Sequence, residues 1–163
     1  MKISGGLTED GIVIGNRYDK YGTKNPIARK LMNGFDESLT ALVDKAAPDS
    51  IHEVGCGEGF WILARQNAEA RNFPTDLFEQ RSIYELQSER DKADLIVCCE
   101  VMEHLDQPEV ALKVLQNMVG RYLIVSVPRE PIWRFLNFAR GKYLKDWGNT
   151  PGHLQHWSKL GFV

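Results

Sequence analysis

Ile51-His52-Glu53-Val54-Gly55-Cys56-Gly57-Glu58-Gly59 is an apolar run that ends in an acid and then places three glycines at alternate positions. Glycine has no Cβ, so the backbone can turn sharply there and a ligand can approach the main chain closely. A strand that runs through such a turn into a helix N-terminus offers free N–H groups to a carboxylate or phosphate. The pattern is E-x-G-x-G-x-G. It differs from the dinucleotide fingerprint G-x-G-x-x-G, whose third glycine would fall on Phe60. Alone, the loop is equally a generic strand-to-helix turn, so the chain around it must decide.

Upstream, Asn25 and Pro26 read as an N-cap followed by proline at the first helical position. Ile27, Leu31, Phe35, Leu39, Leu42 and Val43 recur at near-helical spacing and predict one buried face. That helix ends near Ala47, because Pro48 disfavours helix at the residue before it. Ser50–Val54 is the strand that feeds the glycine loop. Residues 1–25 are polar and glycine-rich and read as an arm. Its cluster Arg17-Tyr18-Asp19-Lys20-Tyr21-Gly22-Thr23-Lys24 is either a solvated leader or a lid, with Tyr21 over a bound ligand.

Downstream, Ile62–Asn72 is a helix by propensity, broken by Phe73-Pro74-Thr75-Asp76. Leu77–Ile83 alternates and predicts a strand. Ser88–Ala93 is charged and loop-like. Asp94–Cys99 is a continuous apolar run behind an acid, which predicts a strand buried on both faces. Asp106 is placed to cap a helix to about Val119, with Ala111, Leu112, Leu115, Met118 and Val119 on its apolar side. Arg121–Val127 is a further strand, ended by Pro128. Strands alternating with helices predict an α/β fold, an open parallel sheet with helices on both faces and right-handed crossovers. Residues 26–163 make one domain, since 163 residues support a single core. Within it, 129–157 is set apart by its aromatic and basic residues, with a short helix near Ile132–Arg140. Ser158 is placed to cap a last helix.

Composition excludes several classes. A formal charge of −2 supplies no electrostatic reason to expect nucleic acid or an anionic membrane as partner. No apolar run approaches the roughly 20 residues needed to span a bilayer, so no membrane insertion is expected. The N-terminus lacks the apolar core of a signal peptide. Cys56, Cys98 and Cys99 have neither disulfide-frame nor zinc-site spacing, which fits a reducing cytoplasm.

A second motif, Cys98-Cys99-Glu100-Val101-Met102-Glu103-His104-Leu105, closes the buried strand. Ligands of open α/β sheets bind beyond the carboxyl ends of strands. Glu100, Glu103 and His104 are spaced so that one helical turn would put them on a shared face. They read as a solvated helix start, as a general base, or as oxygen and imidazole ligands for a hard cation.

Glu53–Gly59, then Asp94–Leu105, then Leu123-Ile124-Val125-Ser126-Val127-Pro128 together resemble the class I S-adenosylmethionine-dependent methyltransferases of small-molecule type, the group similar to ubiquinone-biosynthesis O-methyltransferases. The resemblance covers nearly the whole chain and implies a Rossmann-like sheet. It implies S-adenosylmethionine as cofactor, held by Glu53, Gly55, Cys56, Gly57 and Gly59, with Ser82 and Ile83 beside the adenine and Cys99, Glu100 and Val101 near the sulfonium. It implies His104 and Glu100 in catalysis. It also implies that Glu100, Glu103 and His104 bind a divalent cation such as magnesium. Arg129, His153 and His156 are expected on the acceptor side, against a small molecule. The same aromatic–basic segment is alternatively a lid or the surface of a homodimer. Two departures stand out. No strand ending in a ribose-binding acid lies between Gly59 and Asp94, and the chain stops before the fold's final hairpin. Omitted residues between Gly59 and Ile62 are the favoured explanation. A genuine loss would favour the alternative reading, a cofactor-binding but non-catalytic module.

Overall fold

The structure, a computed structural model, describes residues 8–9, 12–13, 24–55, 66, 68–139, 141, 143–150 and 152–162. They fall into two compact units. One comprises Met1–Ile51 with Cys56–Ser82, the other His52–Gly55 with Ile83–Val163.

In the first unit, strands β1 (Thr8–Glu9) and β2 (Ile12–Val13) pair antiparallel. This short ladder lies within the segment expected to be an arm of loops. Helix α1 spans Pro26–Ala46. The Asn25 side-chain oxygen accepts from the N–H of Ile27 (2.9 Å) and of Ala28 (3.3 Å), which satisfies two of the donors every helix start leaves open. Ala47, in the left-handed region at φ 41°, closes the other end. The buried face is only half the one the spacing predicts. Ala28 and Ala46 are buried and Met32, Phe35, Leu39 and Val43 are half-buried, whereas Ile27, Leu31 and Leu42 are exposed. At 100° per residue the latter three lie along the flank of the stripe that the former six define. Further on, Gln66, Ala68 and Glu69 are helical and Asn72 ends the turn at φ 58°. The rest of the helix predicted over Ile62–Asn72, and the suspected break after Gly59, lie outside the described residues. The strand predicted at Leu77–Ile83 does not form. Residues 78–82 join no ladder and Leu77 is largely exposed. Alternation specifies a strand only where a neighbouring strand can take its hydrogen bonds.

The second unit is built on the sheet. Strands β3 (Ile51–Glu53), β4 (Ala93–Cys99) and β5 (Val119–Ser126) lie in that order, all parallel, with β3 begun by the last residue of the first unit. Val54 N–H donates to Val97 O at 2.8 Å. The β4–β5 register runs from Leu95 opposite Tyr122 to Cys99 opposite Ser126. Central β4 is buried along both faces, as its unbroken apolar run requires. Ser88–Asp91, expected as loop, is a single helical turn, α2, and Asp91 Oδ2 accepts from Gln87 N–H at 2.8 Å. Helix α3 covers Pro108–Met118. Its N-cap is Gln107, not Asp106, because Pro108 occupies the first helical position and fixes the start one residue later. Ala111, Leu115 and Met118 close over Ile96 and Cys98, with Val54, Ile83 and Met102 in the same core. Helix α4 spans Ile132–Ala139, and α5, Lys159–Phe162, begins where Ser158 Oγ accepts from Gly161 N–H at 3.2 Å. No helix among the described residues is long and apolar enough to cross a membrane.

Candidate active site

Two of the three strands bring their carboxyl ends to one edge. Gly55 leaves β3 at φ 82°, a conformation in which glycine alone is unstrained. A Cβ built on it would overlap Val101 Cγ2, so the side chain that follows β4 packs directly against the main chain that follows β3. Glu53, the last residue of β3, keeps a solvent-exposed surface, but the protein packed around its carboxyl desolvates it and raises it above the ordinary 4.5. Its charge and that of Glu100 act on Cys99, whose thiol is raised mainly by burial. Thus Glu53, Gly55, Cys99, Glu100 and Val101, five of the expected cofactor residues, converge. Cys56, Gly57, Gly59 and Tyr21 lie outside the described residues. Ser82 belongs to the first unit. Ile83, expected beside the adenine, turns its side chain into the core.

The E-x-x-E-H motif does not form one helical face. Glu100 takes a left-handed conformation at φ 57° and stands before the turn, and only Met102–His104 are helical, as a single 3₁₀ turn. Glu100 Oε1 instead accepts from Ser126 Oγ at 2.8 Å, across the β4–β5 register. Ser126 lies in the third motif, which gave it no role, and it joins the site here. Its signal is its place at the end of β5, directly opposite Cys99.

Glu103 and His104 are joined by a residue from far along the chain. Glu103, His104 and His153 bring one ligand atom each within 4.8 Å of the others. The rings of His104 and His153 meet edge to face at 4.9 Å. His153 is carried there by the returning segment 152–157. The Glu103 carbonyl accepts from Leu154 N–H (2.7 Å) and Gln155 N–H (3.0 Å), and Gln155 Nε2 donates to Leu105 O at 3.2 Å. His104 Nδ1 lies 2.8 Å from Gly152 O. A carbonyl can only accept, so Nδ1 carries a proton, and Nε2 faces Glu103 Oε1 at 3.9 Å. His156, expected beside His153, is elsewhere: its Nε2 meets Asn149 Oδ1 at 2.7 Å. Burial and then Arg134 lower its pKa below 6.5. Arg129 is exposed and pairs through its backbone with Trp157. Neither described thiol is activated, since burial raises both Cys98 and Cys99. Cys98 is pushed up to about 12 by burial and by Cys99 and Glu103, so it is a core residue.

A family profile described as a methyltransferase domain matches residues 27–161. The chain belongs to the methyltransferase-domain family. No curated protein and no solved structure matches it. The matched span of this methyltransferase domain includes both convergent strand ends and the segment that delivers His153, so the site described above lies wholly inside it. The Rossmann-like fold read from the motifs is therefore correct at the level of class I methyltransferases.

Proposed function

We propose that this methyltransferase domain moves the methyl group of S-adenosylmethionine to a small-molecule acceptor. The observation that supports this most is the close approach of Gly55 to Val101 beside the Glu53 carboxylate. Such a spot fits the methionine end of the cofactor: a bare backbone for close contact and a partly dehydrated acid for its ammonium group. When bound, the cofactor supplies an electrophilic methyl on a sulfonium. Glu53 orients it, and Cys99, Glu100 and Val101 line the reacting end. The acceptor oxygen, nitrogen or carbon forms its bond to the methyl carbon as the carbon–sulfur bond breaks, a reaction governed by alignment. A hydroxyl acceptor must also lose a proton. In the neutral imidazole His104 Nε2 would take it, with Glu103 at 3.9 Å to stabilise the resulting imidazolium. His153 bounds the acceptor side.

A divalent cation is a second reading of the same acid and imidazoles, favoured by the convergence of Glu103, His104 and His153. His104 has the outer hydrogen bond, to Gly152 O, that orients metal-bound imidazoles. The ligand set differs from the expected Glu100, Glu103 and His104. Two imidazoles and one carboxylate suit zinc or another first-row ion better than the expected magnesium.

Calorimetric titration with S-adenosylhomocysteine, with NADH as control, tests the reading. Binding of the first alone supports it. Binding of neither, by a folded chain, moves the assignment to a non-catalytic module. A pH series sharpens the test. The ligand's ammonium needs Glu53 ionised, and the folded carboxyl titrates above 4.5. Affinity for S-adenosylhomocysteine should therefore fall on acidification at a higher pH than an ordinary glutamate would give. Glu53→Gln should bind weakly at every pH and lose that inflection. An unchanged pH profile in Glu53→Gln removes Glu53 from the cofactor site.

A further inference from the structure

The carbonyl that orients His104 belongs to a turn, and that turn is fastened to helix α4. His104 Nδ1 meets Gly152 O at 2.8 Å. One residue on, His153 N–H donates to Thr150 O at 3.1 Å, so Thr150 and His153 are the two ends of one turn. Thr150 Oγ1 accepts from two side chains of α4, Trp133 Nε1 at 2.9 Å and Asn137 Nδ2 at 3.3 Å. Asn137 is fully buried, and its Nδ2 also donates to Gly148 O at 2.9 Å, which fixes the chain just before the turn. Beyond the turn, Leu154 and Gln155 donate to the Glu103 carbonyl at 2.7 and 3.0 Å. The turn is therefore held on one side by α4 and on the other by the segment that follows β4.

The two fastenings do different things. The bonds to the Glu103 carbonyl come after His153 and hold the returning segment as a whole. Gly152 comes before them, so the direction of its carbonyl follows the turn that Thr150 opens. Which imidazole nitrogen carries the hydrogen is set by the bond the other nitrogen side makes. With Gly152 O on Nδ1–H, neutral His104 leaves Nε2 unprotonated. A displacement of about 1 Å is enough to break a bond of 2.8 Å, and misplacing a reacting group that far costs on the order of a hundredfold in rate. We propose that Thr150 is a positioning residue for methyl transfer: clamped by Trp133 and Asn137, it sets the Gly152 carbonyl that keeps His104 Nε2 as the proton acceptor. The assignment rests on the reading of His104 as the base. A threonine that did no more than satisfy two donors of α4 would matter to stability and leave the His104 ring as it is.

Nitrogen-15 spectra of the imidazole rings in the full chain test it, with neither cofactor nor acceptor present. They distinguish a ring nitrogen that carries hydrogen from one that does not. At a pH of about 8.5, well above the ordinary imidazole value of about 6.5, His104 should hold its hydrogen on Nδ1. Thr150→Val should lose that preference, its two ring nitrogens moving towards one averaged shift. Thr150→Ser keeps the oxygen and should keep the wild-type signature. Trp133→Phe removes one of the two donors and should move the shifts the same way by less, which decides the matter should Thr150→Val fail to fold. Ile96→Val, a truncation in the core, should lower the thermal midpoint without altering the His104 ring. The proposal is overturned if wild-type His104 does not hold its hydrogen on Nδ1, or if Thr150→Val, or Trp133→Phe in its place, leaves it there. It is also overturned if Ile96→Val moves the shifts as far, for then stability alone is being read. S-adenosylhomocysteine should bind these variants with wild-type affinity, because none of them alters Glu53 or Gly55. Weaker binding by Thr150→Val would place its effect on the cofactor pocket and overturn the assignment to His104. Failure of the wild-type chain to bind it would remove the methyl-transfer reading while the ring result stood, so the two failures are told apart.

Discussion

Gly148→Ala is expected to lower the thermal midpoint by roughly 6–16 °C, the shift that about 3–4 kcal/mol produces in a chain of this size. Two independent effects add. Gly148 has φ 78°, a conformation that strains any residue with a Cβ. That Cβ would also overlap the carbonyl oxygen of Arg134 and lie 3.1 Å from its carbonyl carbon. The obstacle is helix backbone, which cannot swing aside as a side chain can. Relief requires the turn at 143–148 to lift from α4, which would break the Asn137 bond to Gly148 O and leave a buried amide short of an acceptor. Gly141→Ala is the matched control. It has φ 66° but nothing within 4 Å of the added Cβ, so it carries the conformational cost alone. Unfolding followed by tryptophan fluorescence reads the contact, since Trp133 and Trp147 lie beside it. Equal midpoints for the two variants would show that Gly148 is not packed as described.

What the sequence made legible is what backbone chemistry decides locally. The Asn25-Pro26 start and the stop before Pro48 are visible because proline and asparagine constrain the chain without tertiary help. The run Asp94–Cys99 is visible as a central strand because only a strand covered on both faces tolerates consecutive apolar residues. The start of α3 was misplaced by one residue, because proline at the first helical position outweighs an available aspartate cap. The failed strand at Leu77–Ile83 shows the limit of alternation, a property of one segment used to predict a pairing between two.

The candidate site divides the same way. Glu53, Gly55 and the residues after Cys99 were legible because they sit where a strand ends and ligand chemistry concentrates. The partnership of His104 with His153 was not, since 49 positions separate them and only the hydrogen bonds of Leu154 and Gln155 to the Glu103 carbonyl bring them together. Nor was the diversion of Glu100 to Ser126. Spacing of three and four residues implies a shared face only on a regular helix, and the left-handed conformation of Glu100 removes it from the turn.

Gly55→Ala is expected to weaken S-adenosylhomocysteine binding about a hundredfold, which corresponds to roughly 2.7 kcal/mol. At φ 82° an alanine is strained, and its methyl would overlap Val101 Cγ2. Here the obstacle is a side chain, so the outcome differs from that at Gly148. Valine is β-branched and stiff about χ1, and rotating it would press its methyls into the space proposed for the cofactor. The strand end can also shift, which would move Glu53 from the ligand's ammonium. Either response costs affinity more than stability. A double variant separates them. Val101→Ala removes the overlapping methyl, so Gly55→Ala/Val101→Ala should recover part of the affinity lost in Gly55→Ala while keeping the strain of a left-handed alanine. If the double variant binds no better than Gly55→Ala, the contact with Val101 is not what limits the site. If Gly55→Ala itself binds normally, the close backbone approach after β3 does not belong to the cofactor pocket, and the methyl-transfer reading loses its principal support.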